Sequence, residues 1–334
     1  MTEVSLDCTD DQGANQALPA LEDLSSRDKP WDRHKDEAVR LSKILQSIAL
    51  RSSSEIENHR LKKYSERVSG CSTLLLFRRI ADGETGEMLL KLRNADLCRV
   101  RVCPLCEWRR SLMYQARFLS RIEEVLKQNQ GLRFVFLTLT VRNCPVEDLR
   151  STLGGMREAW KRLALRKEFA IVKGWVRKTE VTQGKDGSAH PHYHVLLAVP
   201  PSYFSTGYIK TARWAEIWKD CLRVEYDSIC DARAVRRVED VRKEVLKYTT
   251  KASDLLGAGE EWLSVYIQQI HHLRFIDSGG ILKGVFKEEE KKEDLIVTGE
   301  DASGEGDVDT GGRLVFGFKD CYRLVREFRE RPPD

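Results

Sequence analysis

Three histidines fall within five residues, His190-Pro191-His192-Tyr193-His194, and the last two run directly into Val195-Leu196-Leu197. Side chains alternate along a strand, so His192 and His194 project from one face, roughly 6 to 7 Å apart along the chain. Two imidazoles so placed can converge on one divalent ion, and packing alone rarely accounts for a same-face pair beside a third histidine. The preceding segment offers a carboxylate. Lys185-Asp186-Gly187 is a natural turn, and a hairpin centred near Asp186 puts Glu180 opposite His192. Glu180, His192 and His194 then form a two-histidine, one-carboxylate set able to hold Mn²⁺, Mg²⁺, Fe²⁺ or Zn²⁺. His190 is a further candidate ligand that Pro191 bends away, and the HExxH pattern of zinc peptidases is absent.

A second constellation lies about fifty residues on, in Arg242-Lys243-Glu244-Val245-Leu246-Lys247-Tyr248-Thr249-Thr250-Lys251. On a helix Glu244, Tyr248 and Lys251 share a face, which carries an acid, a phenol and a base. An ordinary solvated helix face has the same composition. A third constellation is Cys98-x4-Cys103-x2-Cys106, with Cys71 one apolar hairpin upstream. Four thiolates suffice for a closed tetrahedral Zn²⁺ site. A redox pair at Cys103 and Cys106 is the rival, and the two further cysteines favour zinc. Trp108, Arg109 and Arg110 follow at once and are expected to give this knuckle a basic, aromatic surface for the DNA backbone or stacked bases. Cys8, Cys144, Cys221, Cys230 and Cys321 have no comparable spacing and are read as packing or bystander thiols.

These residues need elements to hold them. Residues 1–30 read as a mobile tail, and 31–70 as two helices broken by the serines at 52–54. Residues 71–131 read as a hairpin around Asp82-Gly83 beside the cysteines, then a helix from Glu107 to Gln130. Residues 132–275 alternate as a strand Arg133 to Val141, a helix over 146–165, strands Gly174 to Thr182 and His192 to Val199, a Trp214/Trp218 helix, a strand near Val224 to Ile229, and a helix over 238–250. The expected fold class is α+β, an antiparallel central sheet with helices packed on one face, preceded by the Cys-rich zinc element and the helical segment. Residues 276–334 read as an acidic linker and a C-terminal piece that folds back or stands alone.

Of the 334 residues 32% are charged, and the net charge of +4 hides an asymmetry. Residues 60–251 carry +16, whereas 1–59 carry −5 and 252–334 carry −7. A basic body of this size attracts polyanions, nucleic acid first among them. No apolar run approaches the ~18 residues of a membrane span, and the acidic start MTEVSLDCTDDQ has no signal-peptide pattern, so a cytoplasmic protein is expected.

In order along the chain, the FLTLT strand ending near Asn143, the H-P-H-Y-H strand and the KYTTK helix resemble the HUH endonucleases, specifically the rolling-circle plasmid replication initiators (Rep proteins) with one catalytic tyrosine. The segment ending CPLCEWRRSL is similar to that family too. The resemblance implies that His192 and His194 hold a catalytic Mg²⁺ or Mn²⁺ and that Tyr248 is the nucleophile. It further implies that Glu244 positions water at termination and that Lys247, Lys251 and Asn143 lie along the DNA. The implied partners are the double-stranded origin, its single-stranded nick site, a host polymerase and, since no GxxxxGK[ST] loop is present, a host helicase. A relaxase or single-strand transposase shares this chemistry. A zinc-stabilised DNA-binding regulator without catalysis and an iron-dependent oxygenase using Glu180, His192 and His194 are the readings from other classes.

Overall fold

The computed structural model describes residues 18–235, 252–286, 295–296, 304 and 306–330. In chain order the elements are α1 (Leu21–Leu24), α2 (Pro30–Arg51), α3 (Glu55–Ser69), β1 (Leu74–Ala81), β2 (Met88–Ala95), α4 (Pro104–Gln128), β3 (Arg133–Thr140) and α5 (Leu149–Ala164). They continue with β4 (Gly174–Gln183), β5 (Ala189–Val199), α6 (Thr211–Leu222), β6 (Cys230–Val235), α7 (Ala252–Gly257), α8 (Glu260–Gln269), β7 (Ile276–Gly280), β8 (Val308–Phe318) and β9 (Tyr322–Arg329). The expected helix over 238–250, with Glu244, Lys247 and Tyr248, lies outside the described residues, as does Lys251.

The N-terminal helices form as the periodicity requires. Pro30 opens α2 at a position where its missing N–H costs nothing, and Leu41, Leu45 and Ile48 recur on the buried face. The chain breaks at 52–54, and Ser54 caps α3 by accepting from the Glu57 N–H. The tail expected over 1–30 needs correction from residue 18 onward: Leu21 is fully buried, and Ala20 bridges to Arg323 in β9. Apolar residues too sparse for a periodic signal still find a core when a distant strand supplies it.

Two antiparallel sheets follow. The first has the order β2-β1-β8-β9, so the C-terminal piece folds back and pairs with β1, Phe77 opposite Leu314 and Leu75 opposite Phe316. The second has the order β6-β3-β5-β4-β7. Helices were expected on one face of this sheet, whereas both faces are covered. Val135, Leu137, Val195 and Leu197 join Met156, Trp160, Trp214 and Trp218 of α5 and α6 on one side. Phe134, Phe136, Leu196 and Ala198 meet Phe118 and Ile122 of α4, together with Leu282 and Phe286, on the other. Strands apolar on both faces call for cover on both. Helix α4 therefore joins the cysteine cluster at its N-terminus to the second sheet at its far end. The strand expected near 224–229 is instead β6 at Cys230–Val235, because the residues after the left-handed Arg223 bend at Glu225-Tyr226 before they meet β3.

Candidate active site and metal centres

The β4–β5 hairpin closes as its turn residues dictate: Gln183 pairs with Ala189, and Gly187 adopts a positive φ of 80° that disfavours a side chain. From that register Glu180 lies directly opposite His192, and Lys178 opposite His194. On the other flank β3 places Thr140 beside His192 and Thr138 beside His194. All six side chains share the face of the sheet that carries Phe136 and Leu196.

The three candidate ligands converge. His192 Nε2 lies 3.1 Å from His194 Nε2, and Glu180 Oε2 lies 2.9 Å from His194 Nε2 and 3.7 Å from His192 Nε2. Donors about 2.1 Å from one ion stand roughly 3.0 Å apart at right angles and 3.4 Å apart at the tetrahedral angle. The donor set therefore fits a small divalent ion without rearrangement. His192 Nδ1 is 3.3 Å from the His190 carbonyl oxygen, which holds its proton there and leaves Nε2 for the ion. His194 Nδ1 has no hydrogen-bond partner; its ring stacks on Phe136 at 5.5 Å instead. Burial works to raise the Glu180 pKa, but hydrogen bonds from His192 and His194 and the charge of Lys178 outweigh it, holding the carboxyl well below the usual range. His190 is outside the cluster: its Nδ1 bonds Asn143 Oδ1 at 2.6 Å, and Asn143 Nδ2 donates to Ser188 at 2.8 Å. Asn143 is exposed at the rim of the site.

The four cysteines also meet. The β1–β2 hairpin brings Cys71 and Cys98 to its base, and Cys103 stands at the N-terminus of α4, where the helix dipole favours negative sulfur. Cys106 Sγ lies 3.6 Å from the sulfurs of both Cys71 and Cys98, close to the ~3.8 Å edge of a tetrahedron with metal–sulfur bonds of about 2.3 Å. The Cys98 N–H points at Cys71 Sγ (3.3 Å) and the Arg99 N–H at Cys106 Sγ (3.2 Å). Hydrogen bonds from Cys103, Cys106 and Cys98 hold the Cys71 thiol well below its ordinary range. Lys35 of α2 reinforces this reading. It is 1% exposed and donates to the carbonyls of Ser69 (2.8 Å) and Cys71 (2.6 Å), with no carboxylate within ion-pair distance among the described residues. Burial lowers its pKa, while Cys71, Cys103 and Cys98 pull it back up. Four thiolates around a divalent ion would carry a net double negative charge and would give this buried ammonium a counterion.

Arg109 and Arg110 correct the expected DNA-facing surface. Arg109 is 2% exposed; its Nε and Nη2 donate to the carbonyls of Leu295 (2.8 Å) and Ile296 (2.6 Å), and its guanidinium lies over Trp31 and Trp108. Arg110 pairs with Glu107 at 2.5 Å and donates to the Arg99 carbonyl at 3.0 Å. Trp108 is buried between Trp31 and His34. A cation wedged among aromatic rings and loop carbonyls serves the interior. Arg109→Met is therefore expected to lower stability by about 2–4 kcal/mol by orphaning two buried carbonyls. Denaturant unfolding measures this, and the salt dependence of DNA binding should stay at the wild-type slope.

The sequence reading passed over Lys178, Phe136 and Lys35. Lys178 was within reach, being two residues before Glu180 on the same strand face. Lys35 left no local signal, since its partners lie 34 and 36 residues away.

A five-stranded antiparallel sheet that carries paired histidines on one strand and a carboxylate on its neighbour, with a four-cysteine knuckle alongside, is the arrangement expected of a rolling-circle initiator. The chain belongs to the replication protein family, whose pattern matches residues 89–321. It is 37% identical over 253 residues to a Protein rep of Bacillus amyloliquefaciens, covering 68% of this chain and 73% of that protein. Over 284 residues it is 32% identical to a Protein rep of Lactiplantibacillus plantarum, covering 80% and 84%. A Protein rep of Streptococcus pneumoniae serotype 2 strain D39 is 30% identical over 288 residues, covering 82% and 85%. No solved structure matches the chain. Among the described residues no helix is long and apolar enough to cross a membrane.

Proposed function

We propose that this protein starts plasmid rolling-circle replication by nicking one DNA strand at a specific origin sequence and later rejoining it. The observation that carries this reading is the convergence of the Glu180, His192 and His194 donors within 4.8 Å, in a chain of the replication protein family. Glu180, His192 and His194 would hold a Mg²⁺ or Mn²⁺ ion, which would supply polarisation of the scissile phosphodiester and offset the charge building on its oxygens. Glu180 contributes a carboxylate that stays ionised beside the two imidazoles. The nucleophile is Tyr248. Its phenol loses a proton, with Lys247 and Lys251 favouring the phenolate against a reference pKa of about 10. The phenolate oxygen bonds to phosphorus as the bond from phosphorus to the 3′ oxygen breaks. The 5′ phosphate stays on the tyrosine, and the 3′ oxygen leaves as a hydroxyl that primes a host polymerase while a host helicase unwinds the duplex.

Glu244, four residues before Tyr248 in the sequence, orients water for the hydrolytic step that ends the cycle. Asn143, tied to His190 at the rim, contacts the incoming strand. The four cysteines hold a structural Zn²⁺, separate from the catalytic ion because a closed thiolate set leaves no position for substrate. The work is done in the cytoplasm.

The decisive experiment incubates the full chain with supercoiled origin DNA and Mn²⁺ and maps the covalent tyrosyl-DNA peptide by mass spectrometry. The adduct is expected on Tyr248 and on the 5′ side of the nick. An adduct on another residue, or nicking without an adduct, would overturn the assignment. Glu244→Ala is expected to form the adduct normally and to fail in release; equal loss of both steps would point to a general positioning role instead.

A further inference from the structure

The face that carries the candidate ligands does not end at β5. Next to it lies β3 and then β6, which stands at the edge of the sheet. Asp231 is in register with Thr138, and so with His194, while Arg233 is in register with Phe136. Residues opposite one another in a ladder share a face, so Asp231 and Arg233 stand on the same face as His192 and His194. The Phe136 ring connects them: His194 stacks on it at 5.5 Å, and the Arg233 guanidinium lies 5.4 Å from its centre. Two strand spacings of about 4.8 Å across the sheet and a two-residue offset of about 7 Å along it put the Arg233 backbone roughly 12 Å from that of His194, within the footprint of a bound single strand.

Arg233 differs from the other cation on this face. Lys178 is 2% exposed, whereas the Arg233 side chain is 58% exposed. Arg233 pairs with Asp231 through Nε at 2.7 Å, and its terminal nitrogens hold no hydrogen-bond partner among the described residues. An ion pair this exposed is weak, so a phosphate can take the place of the Asp231 carboxylate. The planar guanidinium also presents paired N–H groups that match two phosphate oxygens. Between Arg233 and the ligands β3 presents half-buried Thr138 and Thr140 beside the buried Phe136 ring, and the one carboxylate of β6 on this face is Asp231, which Arg233 neutralises.

We propose that Arg233 binds a backbone phosphate of the single strand adjacent to the scissile phosphodiester and so holds that strand across the Glu180, His192 and His194 face. The proposal rests on the nicking function given above for its place in the reaction, while its binding step can be read without any chemistry.

The test uses the full chain without added divalent cation and without chelator, with a fluorescent oligodeoxythymidylate, following anisotropy across a KCl series. Arg233→Gln is expected to bind several-fold more weakly, with the slope of log affinity against log salt reduced by about 0.7, the value of one single-strand phosphate contact. Arg233→Lys should keep the slope, and Asp231→Asn should bind more tightly than wild type. With Mn²⁺ and a nick-site oligonucleotide, Arg233→Gln should raise the half-saturating DNA concentration several-fold and leave the maximal rate of adduct formation within about twofold. A wild-type slope and affinity in Arg233→Gln overturn the proposal. So does equal loss in Arg233→Gln and Arg233→Lys with a lowered melting temperature, which would mean that the residue only props Phe136. Failure of the wild-type protein to nick supercoiled origin DNA counts against the function and leaves the binding result standing.

Discussion

The His194→Ala protein is expected to lose nicking by about 10³-fold or more, since the ion's stabilisation of transition-state charge amounts to several kcal/mol. It should lose tight Mn²⁺ binding in the same preparation. His194 Nε2 is the common vertex of the cluster, 3.1 Å from His192 Nε2 and 2.9 Å from Glu180 Oε2. Without it the two remaining donors stand 3.7 Å apart and cannot fix an ion alone. The fold should survive, because the His194 ring meets only Phe136 and its fellow ligand His192 among the described aromatic rings, and its Nδ1 makes no hydrogen bond. Tyr248→Phe supplies the contrast. That protein should give no covalent adduct and yet bind Mn²⁺ as wild type does. Titration of Mn²⁺ by electron paramagnetic resonance beside the nicking assay separates the two defects. A His194→Ala protein that nicks within tenfold of wild type would remove this cluster from the mechanism.

Cys103→Ser should show the largest effect on stability. Wild-type protein purified under reducing conditions is expected to carry about one Zn²⁺ per chain that survives dialysis. The serine variant should carry none and should lose about 3–5 kcal/mol, at the strong end of single substitutions. Cys103 is fully buried and starts α4, the helix whose far end packs Phe118 and Ile122 against the second sheet. The cluster also ties down Cys71 just before β1, Cys98 just after β2 and Lys35 of α2, so four segments lose their common anchor together. Lys35→Met should stay folded while releasing zinc to a chelator several-fold faster, because the buried thiolates lose their countercharge. Unchanged stability in Cys103→Ser, or zinc-free wild-type protein, would remove the metal from the fold.

Much of the ligand site was legible in the primary sequence. Strand alternation puts His192 and His194 on one face whatever surrounds them, and the symmetry of a hairpin about Asp186 pairs Glu180 with His192, as the register confirms. The break at 52–54 and the hairpin beside the cysteines are likewise set by residues within a few positions of one another. The cysteine spacing pointed to a shared ion, and the four sulfurs do converge. In each case the deciding geometry is local.

Burial was decided elsewhere. Arg109 and Arg110 follow a metal knuckle and read as a basic surface, yet Arg109 lies under carbonyls 186 and 187 residues away. Lys35 reads as one more charge on an amphipathic helix, and only the docking of α2 on the cysteine cluster makes it a buried counterion. The C-terminal strands carry no mark that they complete the sheet begun by β1, and the second sheet receives its other cover from the far end of α4. Sequence alone determined which side chains share a strand face and which cysteines come in reach of one ion, because chain geometry over a few residues suffices for that. The tertiary structure decided which charges are buried and which, like Arg233, stay open beside the site, because exposure depends on segments that meet only when the whole chain has packed.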